Sequence, residues 1–146
     1  MKKYLLSLIS VLFSVGLVNA QQYVATTPTK KNVILEEYTG AHCTYCPDGH
    51  RIANELAANN PGRIFPINIH ADGYAPTYYP NMTTNAGNEF NGSFGVYSYP
   101  SGVINRATGA IGRNMWEDKS VEQMHKTAIV NIAGDYTINS STRTAQ

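Results

Sequence analysis

Val33-Ile34-Leu35-Glu36-Glu37-Tyr38-Thr39-Gly40-Ala41-His42-Cys43-Thr44-Tyr45-Cys46-Pro47 decides how the rest of the chain is read. Three consecutive apolar residues, Val33 to Leu35, predict a central strand covered on both faces. The strand runs from about Asn32 to Tyr38, and Gly40 breaks it. Cys43 and Cys46 then fall where a helix begins, with Ile52 and Leu56 one turn apart on its inner side. Unpaired backbone N–H groups at a helix start favour a thiolate, the form of cysteine that attacks disulfides.

Upstream, the chain opens as an export signal. Lys2 and Lys3 precede a mostly apolar run from Leu5 to Val18, and Val18-Asn19-Ala20 resembles a small-residue cleavage site. At about 14 residues the run is shorter than the roughly 20 needed to span a bilayer, so a cleaved signal at 1–20 is favoured over a retained anchor. No Cys follows the run, which argues against a lipoprotein anchor. Residues 21–31 read as an extended lead-in. The formal net charge is +1, which gives no electrostatic case for nucleic acid. The two cysteines can pair only with each other, with a metal or with another molecule, and in an oxidising compartment their disulfide is the default.

Downstream, Asn59-Asn60-Pro61-Gly62 stops the first helix. Arg63 to His70 reads as a second strand with Phe65, Ile67 and Ile69 on one face, and Pro66 assigns it to an edge or a bulge. The Gly-, Asn- and Tyr-rich segment 71–95 holds a short helix around Thr84–Asn91. A strand follows Pro100 directly at Val103-Ile104, and Thr108-Gly109 turns it into Ile111-Gly112-Arg113. Asn114 is expected to cap the last helix, with Glu117 as its capping-box partner and Trp116, Val121, Met124 and Ala128 facing the core. Tyr136 and Ile138 alternate with polar residues as in a further strand, but no partner strand is evident for the tail 133–146.

This order of elements is that of a thioredoxin fold. Glu37, six residues before Cys43, stands where thioredoxins carry a buried acid, and Tyr99-Pro100 resembles their cis-proline site. More specifically, Glu36-Glu37-Tyr38-Thr39-Gly40 with Cys43-Thr44-Tyr45-Cys46-Pro47, and Phe94-Gly95-Val96 with Tyr99-Pro100-Ser101-Gly102-Val103-Ile104-Asn105-Arg106, resemble a bacterial family. It is an outer-membrane-associated family named after a twenty-eight-kilodalton outer membrane protein. The resemblance covers roughly residues 32–132. It implies an α/β, thioredoxin-like domain of a central mixed sheet flanked by helices, commonly followed by a β-rich part of which the tail would be the first strand. Unlike ordinary thioredoxins, the chain has His42 before the first Cys and Thr44-Tyr45 between the two. Pro47 directly follows Cys46, so the helix is expected to start at Cys46 and to leave Cys43 just outside it.

The resemblance implies thiol–disulfide exchange on envelope proteins, with an unidentified redox partner and no cofactor. The export signal predicts the periplasm or an outer-membrane association, with cell surface or secretion as further destinations. Cys43 would attack and Cys46 resolve. His42, if protonated, would stabilise the Cys43 thiolate, and Glu37 would take or return the Cys46 proton. Pro100, if cis, would hold the Tyr99 backbone beside Cys43, with His42 and Tyr45 near the substrate. A plain reading of Glu37 is a solvated or helix-capped carboxylate. Two other functions stand beside exchange. One is a binding or structural protein with a fixed disulfide. The other is a zinc or copper site built from His42, Cys43, Cys46 and His50. Haem attachment is excluded, since Pro47 rather than His follows Cys46.

Overall fold

The structure, a computed structural model, describes residues 27–71, 74–75 and 81–132, and the backbone at 138–139 and 144–145. The export signal at 1–20 and Tyr136 lie outside these residues. Among the described residues no helix is long and apolar enough to cross a membrane.

Pro28–Ala128 forms one compact unit. Strand β1 is Val33–Thr39, helix α1 Cys46–Asn59, β2 Ile64–His70, α2 Asn85–Ser93, β3 Ser101–Ile104 and β4 Ile111–Gly112. A 3₁₀ turn at Arg113–Met115 leads into α3, Trp116–His125. The four strands form one mixed sheet in the order β2-β1-β3-β4, so β1 is central and β2 lies at an edge. β1 runs parallel to β2, with Val33 opposite Ile64 and Leu35 opposite Pro66. It runs antiparallel to β3, with Leu35 opposite Ile104 and Glu37 opposite Gly102. Pro66 is tolerated because an edge strand has one side without a ladder to complete.

The period-2 alternation of β1 sends its side chains to two different cores. Val33 and Leu35 join Ala53 and Leu56 of α1, Ile64, Ile104 and Trp116 in one cluster, all of them buried. Tyr38 faces the opposite side with Val96 and Val103, beside Phe90 and Phe94. Coverage of both faces starts later than the apolar run predicts. Ile34 is exposed, and its register partner Phe65 and nearby Ile67 are exposed with it. Double coverage begins at Leu35, and it takes in the polar Glu36, Glu37 and Thr39. The strand's centrality was legible in its apolar start, but the doubly covered stretch is its polar end.

α3 departs further from expectation. Its N-cap is Met115, with no side-chain capping bond, so Asn114 does not cap it. The 3₁₀ turn moves the helix start past Asn114. The helix buries Trp116, Ser120 and Gln123, at i, i+4 and i+7. Val121 lies off that stripe and is exposed, and Ala128 falls beyond the helix end. Met124 packs against the core as expected. The tail does have a strand pairing: β5 (Ile138–Asn139) pairs antiparallel with β6 (Thr144–Ala145), supplied from within the tail itself.

Trp116 has zero exposure, and its Nε1–H donates to Ile111 O at 3.2 Å. The indole lies against Gly102, where a Cβ would run into the ring and stand 2.9 Å from Leu35 Cδ1. Both neighbours are rigidly packed. Gly102→Ala is therefore expected to lose about 1–3 kcal/mol of stability, the usual cost of overpacking a core, read as a lowered urea midpoint at unchanged slope.

Candidate active site

Cys43 and Cys46 are joined as a disulfide, with Cα atoms 5.4 Å apart. A tight turn, Cys43 N–H to Gly40 O, carries the chain out of β1, and Cys46 N–H donates back to Cys43 O. α1 begins at Cys46 with Pro47 in its first turn, so Cys43 lies just outside the helix, as the position of Pro47 predicts. Cys43 keeps 6% of its surface exposed and Cys46 1%.

The inner stripe of α1 is Cys46, Gly49, Ala53 and Leu56. The last two belong to the core, the first holds the disulfide, and Gly49 forms a slot. A Cβ at Gly49 would stand 2.6 Å from Glu37 Oε1 and 2.8 Å from Pro100 Cγ. The missing side chain thus lets a carboxyl of β1 and a proline ring approach one point on the helix, one turn after Cys46. The Tyr99–Pro100 peptide bond is cis.

Glu37 is not the solvated carboxylate of the plain reading, since its side chain has zero exposure. Oε2 lies 3.1 Å from His50 Nδ1, while Oε1 has no hydrogen-bond partner among the described residues. Leaving a buried acceptor unmatched costs roughly 1–3 kcal/mol. Burial pushes the Glu37 carboxyl above its ordinary 4.5, and the neighbouring His50 only partly opposes this. His50 Nε2 lies 3.3 Å from Thr39 Oγ1, so both ring nitrogens face β1. At the end of β2, His70 is held below its ordinary value by burial and then by His50.

Around the disulfide, Tyr45 is 65% exposed, with the Arg113 guanidinium 5.8 Å from its ring centre. Arg113 Nε donates to Asp48 at 2.6 Å. Arg51 and then Arg113 hold the Asp48 carboxyl below the usual range. The His42 side chain is exposed, and its backbone N–H donates to Tyr74 O at 3.0 Å. Tyr74 stacks at a tilt on Tyr99, ring centres 5.0 Å apart, and the Tyr99 hydroxyl donates to Asn91. An open groove of about 570 Å³ beside α1 is lined by Asp48, Ile52, Tyr99, Pro100 and Arg113, among others.

Of the sequence-predicted residues, Glu37 and Pro100 meet at Gly49, one turn after Cys46, which is bonded to Cys43. His42 and Tyr45 are exposed, and Tyr99 stacks on Tyr74. For the metal reading, no group of three or more His, Cys, Asp or Glu among the described residues could hold an ion, and His50 turns both nitrogens toward Glu37 and Thr39. Sequence reasoning passed over Gly49, whose signal was a glycine inside a helix, and the Thr39–His50–Glu37 chain, whose signal was a histidine four positions after Cys46.

No protein-family model and no curated protein matches the chain. Among solved structures, it is similar to HBP35 of Porphyromonas gingivalis, at 18% identity and a TM-score of 0.47 over 66% of this chain and 34% of that one. It is also similar to a structural-genomics target protein from Agrobacterium tumefaciens, at 17% identity and a TM-score of 0.44 over 67% of this chain and 46% of that one. The chain thus spans less than half the length of either protein.

The raised Glu37 carboxyl gives a stability prediction. From 4.5 up to its raised value, the native state holds a proton that the unfolded chain releases. The unfolded state then binds fewer protons, so stability falls as pH rises through that window. Glu37→Gln removes this loss. The variant's urea midpoint is expected to rise relative to wild type between pH 4 and pH 8, and a constant difference would contradict the assignment.

Proposed function

We propose that the chain is a thioredoxin-like thiol–disulfide oxidoreductase. The observation that carries this reading is the Cys43–Cys46 bond at the start of α1, whose next turn meets the fully buried, half-unpaired carboxyl of Glu37. A short Cys-x-x-Cys loop adds little stability by chain entropy, so a purely structural role is a weak reason for the bond. A buried acid one turn along α1 from Cys46 is placed to exchange a cysteine proton.

In the reducing direction, the Cys43 thiolate attacks a substrate disulfide and forms a mixed disulfide. Cys46 then attacks Cys43 Sγ and releases the substrate thiol, its proton passing to Glu37. Cys43 is the more exposed of the two, which suits the attacking role. The groove lined by Tyr99, Pro100, Asp48 and Ile52 offers an extended peptide segment a place along the first turns of α1. Substrates and the redox partner would be protein thiols or disulfides of the envelope. The apolar run at Leu5–Val18 supports export to the periplasm or the outer membrane, and the paired Glu36–Gly40 and Tyr99–Arg106 motifs support kinship with the twenty-eight-kilodalton outer-membrane-protein type family.

A second reading, a binding module with a fixed disulfide, draws on the near-complete burial of both cysteines. Redox equilibrium in glutathione buffers separates the two. The exchange reading expects a potential between about −270 and −120 mV, and a Cys46→Ser chain that traps a disulfide peptide on Cys43. A potential below about −300 mV with no adduct would establish the fixed disulfide instead.

A further inference from the structure

His50 enters the sequence reading only as a metal ligand, but its surroundings suit a different task. Its ring bridges two side chains of β1, with Nδ1 3.1 Å from Glu37 Oε2 and Nε2 3.3 Å from Thr39 Oγ1. The Glu37 side chain has zero exposure, whereas that of His50 keeps 34%. Among the described residues, the ring is the buried carboxyl's hydrogen-bond partner, and it is the part of this chain of contacts that reaches the surface. The two oxygens of Glu37 are also differently placed. Oε2 is on His50, and Oε1 is buried without a partner at the Gly49 slot, one turn after Cys46.

We infer that His50 is a positioning residue that acts through Glu37, carrying to solvent the proton that Glu37 takes from Cys46. This rests on the exchange reading above. In the mixed disulfide, Cys43 Sγ is bonded to the substrate sulfur and Cys46 is a thiol. The Cys46 thiol gives its proton to Glu37 Oε1. The Oε2 proton passes to His50 Nδ1, and the imidazolium so formed releases its Nε2 proton to water as the partly exposed ring turns away from Thr39. The Cys46 thiolate attacks Cys43 Sγ. The Cys43–Cys46 bond forms, the bond to substrate breaks, and the electron pair departs on the substrate sulfur, which takes a proton from water. The cysteine pair is oxidised by two electrons and the substrate disulfide is reduced. When a dithiol partner reduces the pair again, the same path runs inward and resets both groups.

Burial favours the protonated carboxyl that this sequence starts from. The titratable groups facing His50 are Glu37 from β1, His70 from the end of β2 and Cys46 on its own helix. On the outer side of α1, Asp48, Arg51 and Glu55 pair with one another and with Arg113. Opposite Glu37, β3 presents only Gly102. Thr39 Oγ1, fully buried, holds the resting ring against β1.

The test follows release of the peptide thiol by stopped flow, after the reduced full chain is mixed with a fluorescent cystine peptide, at a series of pH values. Wild type, His50→Gln and His50→Ala are compared, with and without added imidazole. Resolution at neutral pH is expected to slow at least about tenfold in both variants, within the range general acid–base groups supply. The shape of the wild-type pH profile should change in His50→Gln, because the amide cannot pass on a proton from Oε2. Imidazole should restore the rate of His50→Ala. If His50→Ala fails to fold, the pH profile of His50→Gln decides. Slowing by one constant factor at every pH, with no rescue, would mark a structural role and overturn the relay. Unchanged rates and profiles would overturn it as well, leaving exchange intact. A wild-type chain that releases no peptide thiol overturns exchange and relay together.

Discussion

Burying a carboxyl in the middle of the central strand is the constraint around which the rest of this structure is arranged. Glu37 has no exposure, so its cost must be met by neighbours or by protonation. The neighbours are set by helix geometry. Cys46, Gly49, Ala53 and Leu56 form one stripe along α1, and the same rotation that seats Ala53 and Leu56 in the core brings Gly49 onto Glu37 and Cys46 to the helix start. His50, one position from Gly49, is then turned to the edge of that contact, close enough to bond the carboxyl and open enough to meet water. The packing of the core and the geometry of the disulfide site are consequences of a single helix phase.

The adjacent acid is handled in the opposite way. Glu36 points to the other face of the sheet, where Arg106 binds it with Nε at 3.0 Å and Nη2 at 2.6 Å. The guanidinium lies 4.2 Å over the Phe90 ring. Arg106 reaches this position from a turn in which both Asn105 and Arg106 have positive φ. Asn105 holds the turn in place by accepting from Ile34 N–H and donating to Asn32 O. Two neighbouring glutamates of one strand thus become an ion pair with a planar, stacked partner on one face and a largely unpaired carboxyl on the other.

Much of this arrangement is written in local sequence. The break at Gly40, Pro47 after Cys46, the Asn-Asn-Pro-Gly stop and Pro66 on an edge strand all report backbone geometry that a proline or glycine enforces nearby, and each is found where those residues put it. What could not be read this way depends on distant contacts. The inner stripe of α3 carries Ser120 and Gln123, so a search for apolar periodicity chose Val121 instead. The start of α3 is set by a 3₁₀ turn tied down through Arg113 and Asp48 of α1, which outcompetes the local capping signal of Asn114. At the site, Glu37 and His50 are 13 positions apart, and their pairing exists only once α1 lies on β1.

The edge of the sheet has a consequence for solubility. β2 presents Phe65 and Ile67 to solvent beside Ile34, and among the described residues it ends the sheet, with a bridge only from its last residue, His70, to Thr83, so it combines an apolar face with a row of backbone groups on which a foreign strand could build. Pro66 lies between those two residues. It lacks the amide hydrogen that a growing ladder would require, and its ring sits badly against an incoming chain. An edge that would otherwise template self-association is therefore interrupted at its most apolar point, and the chain keeps an exposed hydrophobic strand without offering it as a seed for cross-β growth.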